Sequence, residues 1–274
     1  MPPLALALAL SAALVHASWN LLLARSRDPR AATAIATVAS VTLPLPIVAA
    51  TWAATPAVIP FAVASSALEL AYLALLAAAY AGAELSVVYP LARGLAPVLV
   101  LGLGVLVGGA PHAPSAVAGV TMVGAGVILV RGVGAGPSWR DLLPVLAIAG
   151  CIAGYTTIDK VGVTHASPLA YYELVMAGPA ILYLGAMLGA RGPQTVRLEL
   201  HTSTVIAGLG MFAAYSLVLT ALTLAQAASV AAVRETSVVL AAIMGGVFLS
   251  EPVGPRRLLG AVVVAAGIGA IALG

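Results

Sequence analysis

A guanidinium lies in the middle of an apolar run: within SVVYPLARGLAP, Ser86 to Pro97, Arg93 has no acidic neighbour in sequence. A charge at the centre of a membrane helix costs about 3 kcal/mol on insertion scales, so such residues face a protein interior or a water-filled path. The pattern returns from Ser229 as SVAAVRETSVV, with Arg234 in the place of Arg93. The same register sets Pro111 on Pro252, Gly119 on Gly260 and Gly126 on Gly267. Guanidinium matches carboxylate and phosphate oxygens with paired hydrogen bonds, so two of them at equivalent positions point to a solute carrying an oxyanion. Burying both requires counter-charge, which Glu69 and Glu235 could supply. A competing reading makes Arg93 a permanent internal tie to one of these acids.

Other polar residues fall on shared helical faces. Tyr89 and Arg93 are four apart, and Pro90 and Pro97 each remove a backbone donor, which predicts a locally broken helix. His16, Trp19 and Asn20 line one stripe, as do Glu69 and Tyr72, and Tyr155 and Asp159. Ala71-Tyr72 finds its match in Ala214-Tyr215, which adds Tyr215. Arg93, Arg234, Tyr89, His16, Trp19, Asn20, Tyr72, Tyr155 and Tyr215 are therefore the candidate solute-binding residues. Glu69, Asp159 and Glu235 are candidates for proton coupling or counter-charge, since a carboxyl group in mid-span can bind a proton reversibly. Asp159 is placed near the membrane boundary, with Lys160 extending toward the interface. Glu173 is expected at an exposed interfacial position, and Cys151, the one cysteine, as a small packing residue.

The elements that must position these groups follow from composition. With 62% hydrophobic residues, 8% charged and mean hydropathy +1.12, the chain is excluded from the water-soluble globular class. The net charge of +3 is dispersed and gives no nucleic-acid surface. Nor is there a motif for a metal, a cofactor or ATP, or a nucleophile beside a base, so no catalytic residue is assigned. Apolar stretches of spanning length predict an all-α integral membrane protein with ten transmembrane helices. Their expected limits are about 3–24, 31–52, 57–80, 85–107, 114–131, 142–160, 168–190, 203–224, 228–249 and 256–273. The first is read as a span and not as a signal peptide, because it lacks a basic leader and continues through Trp19 to Ala24. Setting Leu4 on Leu143 and Pro29 on Pro168 aligns the first helix with the sixth, Asn20 with Asp159 and His16 with Tyr155. The chain thus divides into residues 1–133, a linker 134–140, and residues 141–274. An odd number of helices per copy makes the second cross the membrane in the opposite sense, the inverted-repeat plan of secondary carriers.

HASWNLLLARSRDP, VVYPLARGLAP and FLSEPVGPRRLLGAVVVAAGIGAIAL, together with the two copies, resemble the drug/metabolite transporter superfamily in its ten-helix form of two EamA-type repeats. The first copy departs from the close-of-repeat pattern, with Ala110 where the second has Glu251. The resemblance implies a permease of the cell membrane moving a small solute by alternating access. A flippase for a lipid-linked substrate is the alternative, with an intramembrane enzyme behind it. Arg25, Arg27, Arg30, Arg131, Arg140, Arg191, Arg197, Arg256 and Arg257 all fall in odd-numbered connections. The charge rule makes those loops cytoplasmic and both termini external, whereas the resemblance implies cytoplasmic termini. Glycines 104, 108, 119, 124, 126, 260 and 267 read as close helix packing and leave a homodimer open.

Overall fold

In a bilayer every backbone polar group must be satisfied within the protein, and helices do this segment by segment. The computed structural model describes residues 1–79, 85–108, 113–131, 139–240, 243 and 254–273, with side chains omitted at 76–79, 85–90, 107–108, 131 and 139–141 as well. Among these residues the chain is helical, with no strand beyond an isolated bridge between Ala54 and Ala166. The helices are α1 (Pro3–Ala24), α2 (Pro29–Thr42), α3 (Leu45–Ala50), α4 (Ile59–Ala79), α5 (Leu85–Gly108) and α6 (Pro114–Arg131). They continue with α7 (Trp139–Gly162), α8 (Pro168–Arg191), α9 (Pro193–Leu198), α10 (Thr202–Leu224), α11 (Ala227–Arg234) and α12 (Pro255–Leu273). Seven of the described helical segments are long and apolar enough to span a membrane, α2 and α3 counting as one. The expected linker at 134–140 and the FLSEPVG stretch lie largely outside the described residues.

Proline starts many of these helices, as at Pro3, Pro29, Pro114, Pro168, Pro193 and Pro255, where its missing N–H would have had no partner anyway. Asp28 caps α2 by accepting from the Arg30 and Ala31 amides at 3.0 and 3.2 Å. Two interruptions depart from the predicted spans. Pro44 separates α2 from α3, and α11 stops at Arg234, helix resuming at Thr236 after a turn at Glu235. The break expected on the fourth span is absent, since α5 runs through both Pro90 and Pro97. Prolines within membrane helices are tolerated where neighbouring groups accommodate the freed carbonyl.

The helices pack in a pattern that exchanging the two halves of the chain reproduces. α1 lies on α10 and α4 on α7; α10 lies on α2 and α4 on α8; α1 touches α11 and α5 touches α7. Helices assigned to equivalent places also meet each other, α2 with α8, α5 with α11 and α6 with α12. In the last pair a Cβ on Gly119 would fall 2.6 Å from the Gly267 carbonyl oxygen, and one on Gly126 would fall 2.8 Å from that of Gly260. That register makes the two helices antiparallel and brings their backbones into contact, as small residues allow in membranes.

The loops pair in the same manner. At one end the Asp28 amide donates to Glu199 Oε1 at 2.9 Å and Arg191 Nε reaches Asp28 Oδ2 at 3.2 Å. At the other, Thr55 N–H donates to the His165 carbonyl at 2.9 Å and Ser167 N–H to that of Ala53 at 2.7 Å. Large apolar side chains point outward, among them Leu106, Leu143, Ile181 and Leu273. Arg93, Arg234, Glu235, Glu69, Asp159 and Glu173 are instead buried. Apolar outside and charged within is the distribution expected of a protein whose solvent is lipid.

Candidate functional site

Side chains of α5 and α11 meet at Glu235. The turn that interrupts α11 places it where helical hydrogen bonding lapses, its amide still accepted by the carbonyls of Ala231 and Ala232. Its side chain is fully buried, so its charge must be met inside the protein. Arg93 Nη1, on α5, donates to both Glu235 oxygens at 3.0 and 3.3 Å, and Arg234 Nη2 lies 3.5 Å from Oε1. One carboxylate therefore serves two guanidinium groups.

The next contacts come from α1 and α7. Arg93 Nη2 stands 3.1 Å from His16 Nε2, and because guanidinium only donates, Nε2 is the acceptor and the imidazole proton sits on Nδ1. Trp19 packs edge-on to His16 with centroids 4.8 Å apart, and its indole N–H is buried without a partner. Tyr155 lies under Arg234, its ring centroid 5.9 Å from the guanidinium carbon and its hydroxyl 3.4 Å from Nη2. Tyr72 meets the Tyr155 ring edge-on at 6.4 Å.

A second knot of polar groups surrounds Asp159. Ser65 and Tyr171 donate to Oδ1 at 2.6 and 3.0 Å, and Tyr215 donates to Oδ2 at 2.6 Å. Glu69 lies within electrostatic range of Asp159, Arg234 and Arg93. The two knots are therefore electrostatically coupled through Glu69.

Most of the residues singled out in the sequence meet in these knots, with some corrections. Asp159, in the last turn of α7, is 1% exposed, with three hydroxyl donors in place of water. Glu173, expected to be exposed, is instead buried near the start of α8, with one carboxyl oxygen lacking a partner. Lys160 turns back to donate to the Leu222 carbonyl instead of simply extending outward. Asn20 donates to the His16 carbonyl one turn earlier, a contact local to α1. Tyr89 is in α5, but its side chain lies outside the described residues. Ser65 and Tyr171 were not singled out as site residues, and only the adjacent tyrosines at 171 and 172 offered a signal. Among the described residues no three His, Cys, Asp or Glu side chains are grouped so as to hold a metal ion.

Apolar helices enclosing coupled charges define a multi-pass α-helical membrane protein. Residues 141–273 match the model of the EamA-like transporter family, a domain of the drug/metabolite transporter superfamily. No curated protein matches the sequence. A solved crystal structure, titled only as that of a protein, is similar over 98% of both chains with a TM-score of 0.77 at 15% identity, which is a likeness of fold.

Proposed function

We propose that this protein is a secondary carrier, and not an enzyme, moving a small polar or anionic metabolite across the cell membrane by alternating access. The single observation that carries the reading is the meeting of Arg93 and Arg234 at one buried carboxylate, on helices at corresponding places in the two halves. Two cations sharing one anion favour the approach of a further oxyanion. The architecture proposed with it is ten helices in two inverted copies, joined near Gly136. Support comes from the antiparallel α6 and α12, and from loop pairing that joins the connection after α1 to that after α8, and the connection after α3 to that after α7. Copies of parallel sense would have placed each of these pairs at opposite faces.

Glu69 and Asp159, both buried and within electrostatic range of each other, are the proposed proton-coupling groups, because a carboxyl shielded from water can bind a proton reversibly. The test is an untargeted comparison of metabolites inside and outside cells with and without the protein, followed by uptake of the responding solute into proteoliposomes. Loss of that uptake in folded Arg93→Ala and Arg234→Ala variants is expected. Unchanged affinity in both would overturn the anionic reading.

A further inference from the structure

The two arginines are equivalent in sequence register but not in bonding. Arg93 is the more completely engaged: both oxygens of Glu235 take its Nη1, and His16 takes its Nη2. Arg234 is held loosely. Its contacts to Tyr155 and Glu235 are 3.4 and 3.5 Å, at or beyond ordinary hydrogen-bond length, although the side chain is only 9% exposed; the buried Nε has no hydrogen-bond partner in either arginine, so the difference between them lies in the Nη contacts. Nε and Nη2 form one edge of the guanidinium, the fork that grips an oxyanion with two parallel N–H···O bonds. A buried donor left unmet is costly, and a carboxylate or phosphate oxygen on that edge would relieve it.

Glu235 is the internal competitor for the same fork. It is the residue following Arg234, stands at the turn that ends α11, and already touches Nη2. What keeps it from closing on Arg234 is the two-oxygen grip of Arg93. We propose that the two arginines have divided roles: Arg234 binds the oxyanion of the solute, and Arg93 is a positioning residue that holds Glu235 away from it. This rests on the carrier reading above and goes beyond it by assigning the arginines unequal parts.

Unequal parts give opposite genetic behaviour. Without Arg93, Glu235 moves onto Arg234 and excludes the incoming anion, so removing the Glu235 charge as well should restore binding. Without Arg234 there is no fork to free, and removing the Glu235 charge should restore nothing. The probes are sodium acetate and sodium phosphate, titrated at constant ionic strength against the full-length protein in detergent. Trp19, beside His16, is made the sole tryptophan by Trp52→Phe and Trp139→Phe, and its fluorescence reports occupancy. Acetate and phosphate arms separate a carboxylate preference from a phosphate one.

In that background Arg234→Gln should weaken the preferred anion by about thirty-fold or more, the loss typical when one partner of a buried charge pair is truncated. Adding Glu235→Gln should leave it weak. Arg93→Gln should weaken it too, and Glu235→Gln should bring that variant back toward the starting affinity. Arg234→Lys, which keeps the charge, should bind more weakly than the background and serves if the glutamine variant does not fold. Rescue of Arg234→Gln by Glu235→Gln, or failure to rescue a folded Arg93→Gln, overturns the division of roles while leaving an anion site in place. No response of the background protein to either anion overturns the anionic reading and this proposal together.

Discussion

Replacing Glu235 by glutamine removes one charge and almost no volume, and strands two arginines that are 5% and 7% exposed. Breaking a buried ion pair by removing one partner destabilises by about 3–5 kcal/mol, because the remaining charge is left without solvent or partner. The geometry divides that loss unevenly. Arg93 makes contacts of 3.0 and 3.3 Å to the carboxylate, whereas the Arg234 contact is 3.5 Å, so most of the coupling belongs to the first pair. In double-mutant cycles the coupling between 93 and 235 should exceed about 1.5 kcal/mol, and that between 234 and 235 should stay below about 1 kcal/mol. Arg93→Gln combined with Glu235→Gln should therefore be more stable than Glu235→Gln alone. The assay is denaturant unfolding of the purified protein in micelles, followed by near-ultraviolet circular dichroism. A loss under about 1 kcal/mol for Glu235→Gln, or equal coupling for the two arginines, would refute the reasoning.

Gly119→Ala should destabilise by about 1–3 kcal/mol, since its Cβ would meet both the Gly267 carbonyl and Ile271 Cγ1 at 2.6 Å; thermal unfolding in detergent checks it, and wild-type stability would mean that α6 and α12 are not in backbone contact. Gly192 follows α8 at φ 79° and ψ 155°, a region that essentially only glycine occupies, with open space around a built Cβ. Gly192→Ala should accordingly cost about 1–3 kcal/mol through backbone strain alone, and a neutral result would place the residue elsewhere in φ and ψ. Glu69→Gln should abolish proton-driven accumulation of the solute in proteoliposomes while leaving exchange of solute for solute; accumulation unchanged in that variant would remove Glu69 from the coupling.

The scaffold was legible because length and hydropathy dominate in a bilayer: α1 and α6 fall on their expected residues, and most other described spans differ from expectation by a few residues. The interruption at Glu235 was not legible, since SVAAVRETSVV carries neither proline nor glycine to announce it. It arises where one carboxylate must reach two helices, a tertiary demand that no local pattern encodes. The burial of Asp159 is not legible in the sequence for a related reason. Lys160 beside it marked a boundary, while the hydroxyls that shelter it come from α4, α8 and α10. Arg93 and Glu235 were each visible as charges needing partners, but several acids could have filled the role before the distances selected one.

The two halves match at Arg93 and Arg234 but not at the buried acids, and in the proposed carrier this difference would make the two access states unequal in energy. Arg93 and Arg234 occupy matching places, yet the register that aligns them sets Glu235 on Gly94, and the other matched segments set Asp159 on Asn20 and Glu69 on Phe212. Gly94 could not carry a carboxylate: a Cβ there would lie 2.7 Å from the Gly124 carbonyl oxygen, so α5 and α6 are too close for any side chain. In an inverted-repeat carrier the two access states arise by exchanging the conformations of the halves, and with identical halves they would be equal in energy. Here each acid interacts with its surroundings differently in the two states, because only one half supplies it at each matched position. On the proposed reading, the free-energy difference between the states would depend on whether these carboxyls are charged and on whether an anion occupies Arg234. That dependence would link solute binding to proton binding in the proposed carrier, and making the halves alike at any of these positions should weaken the link.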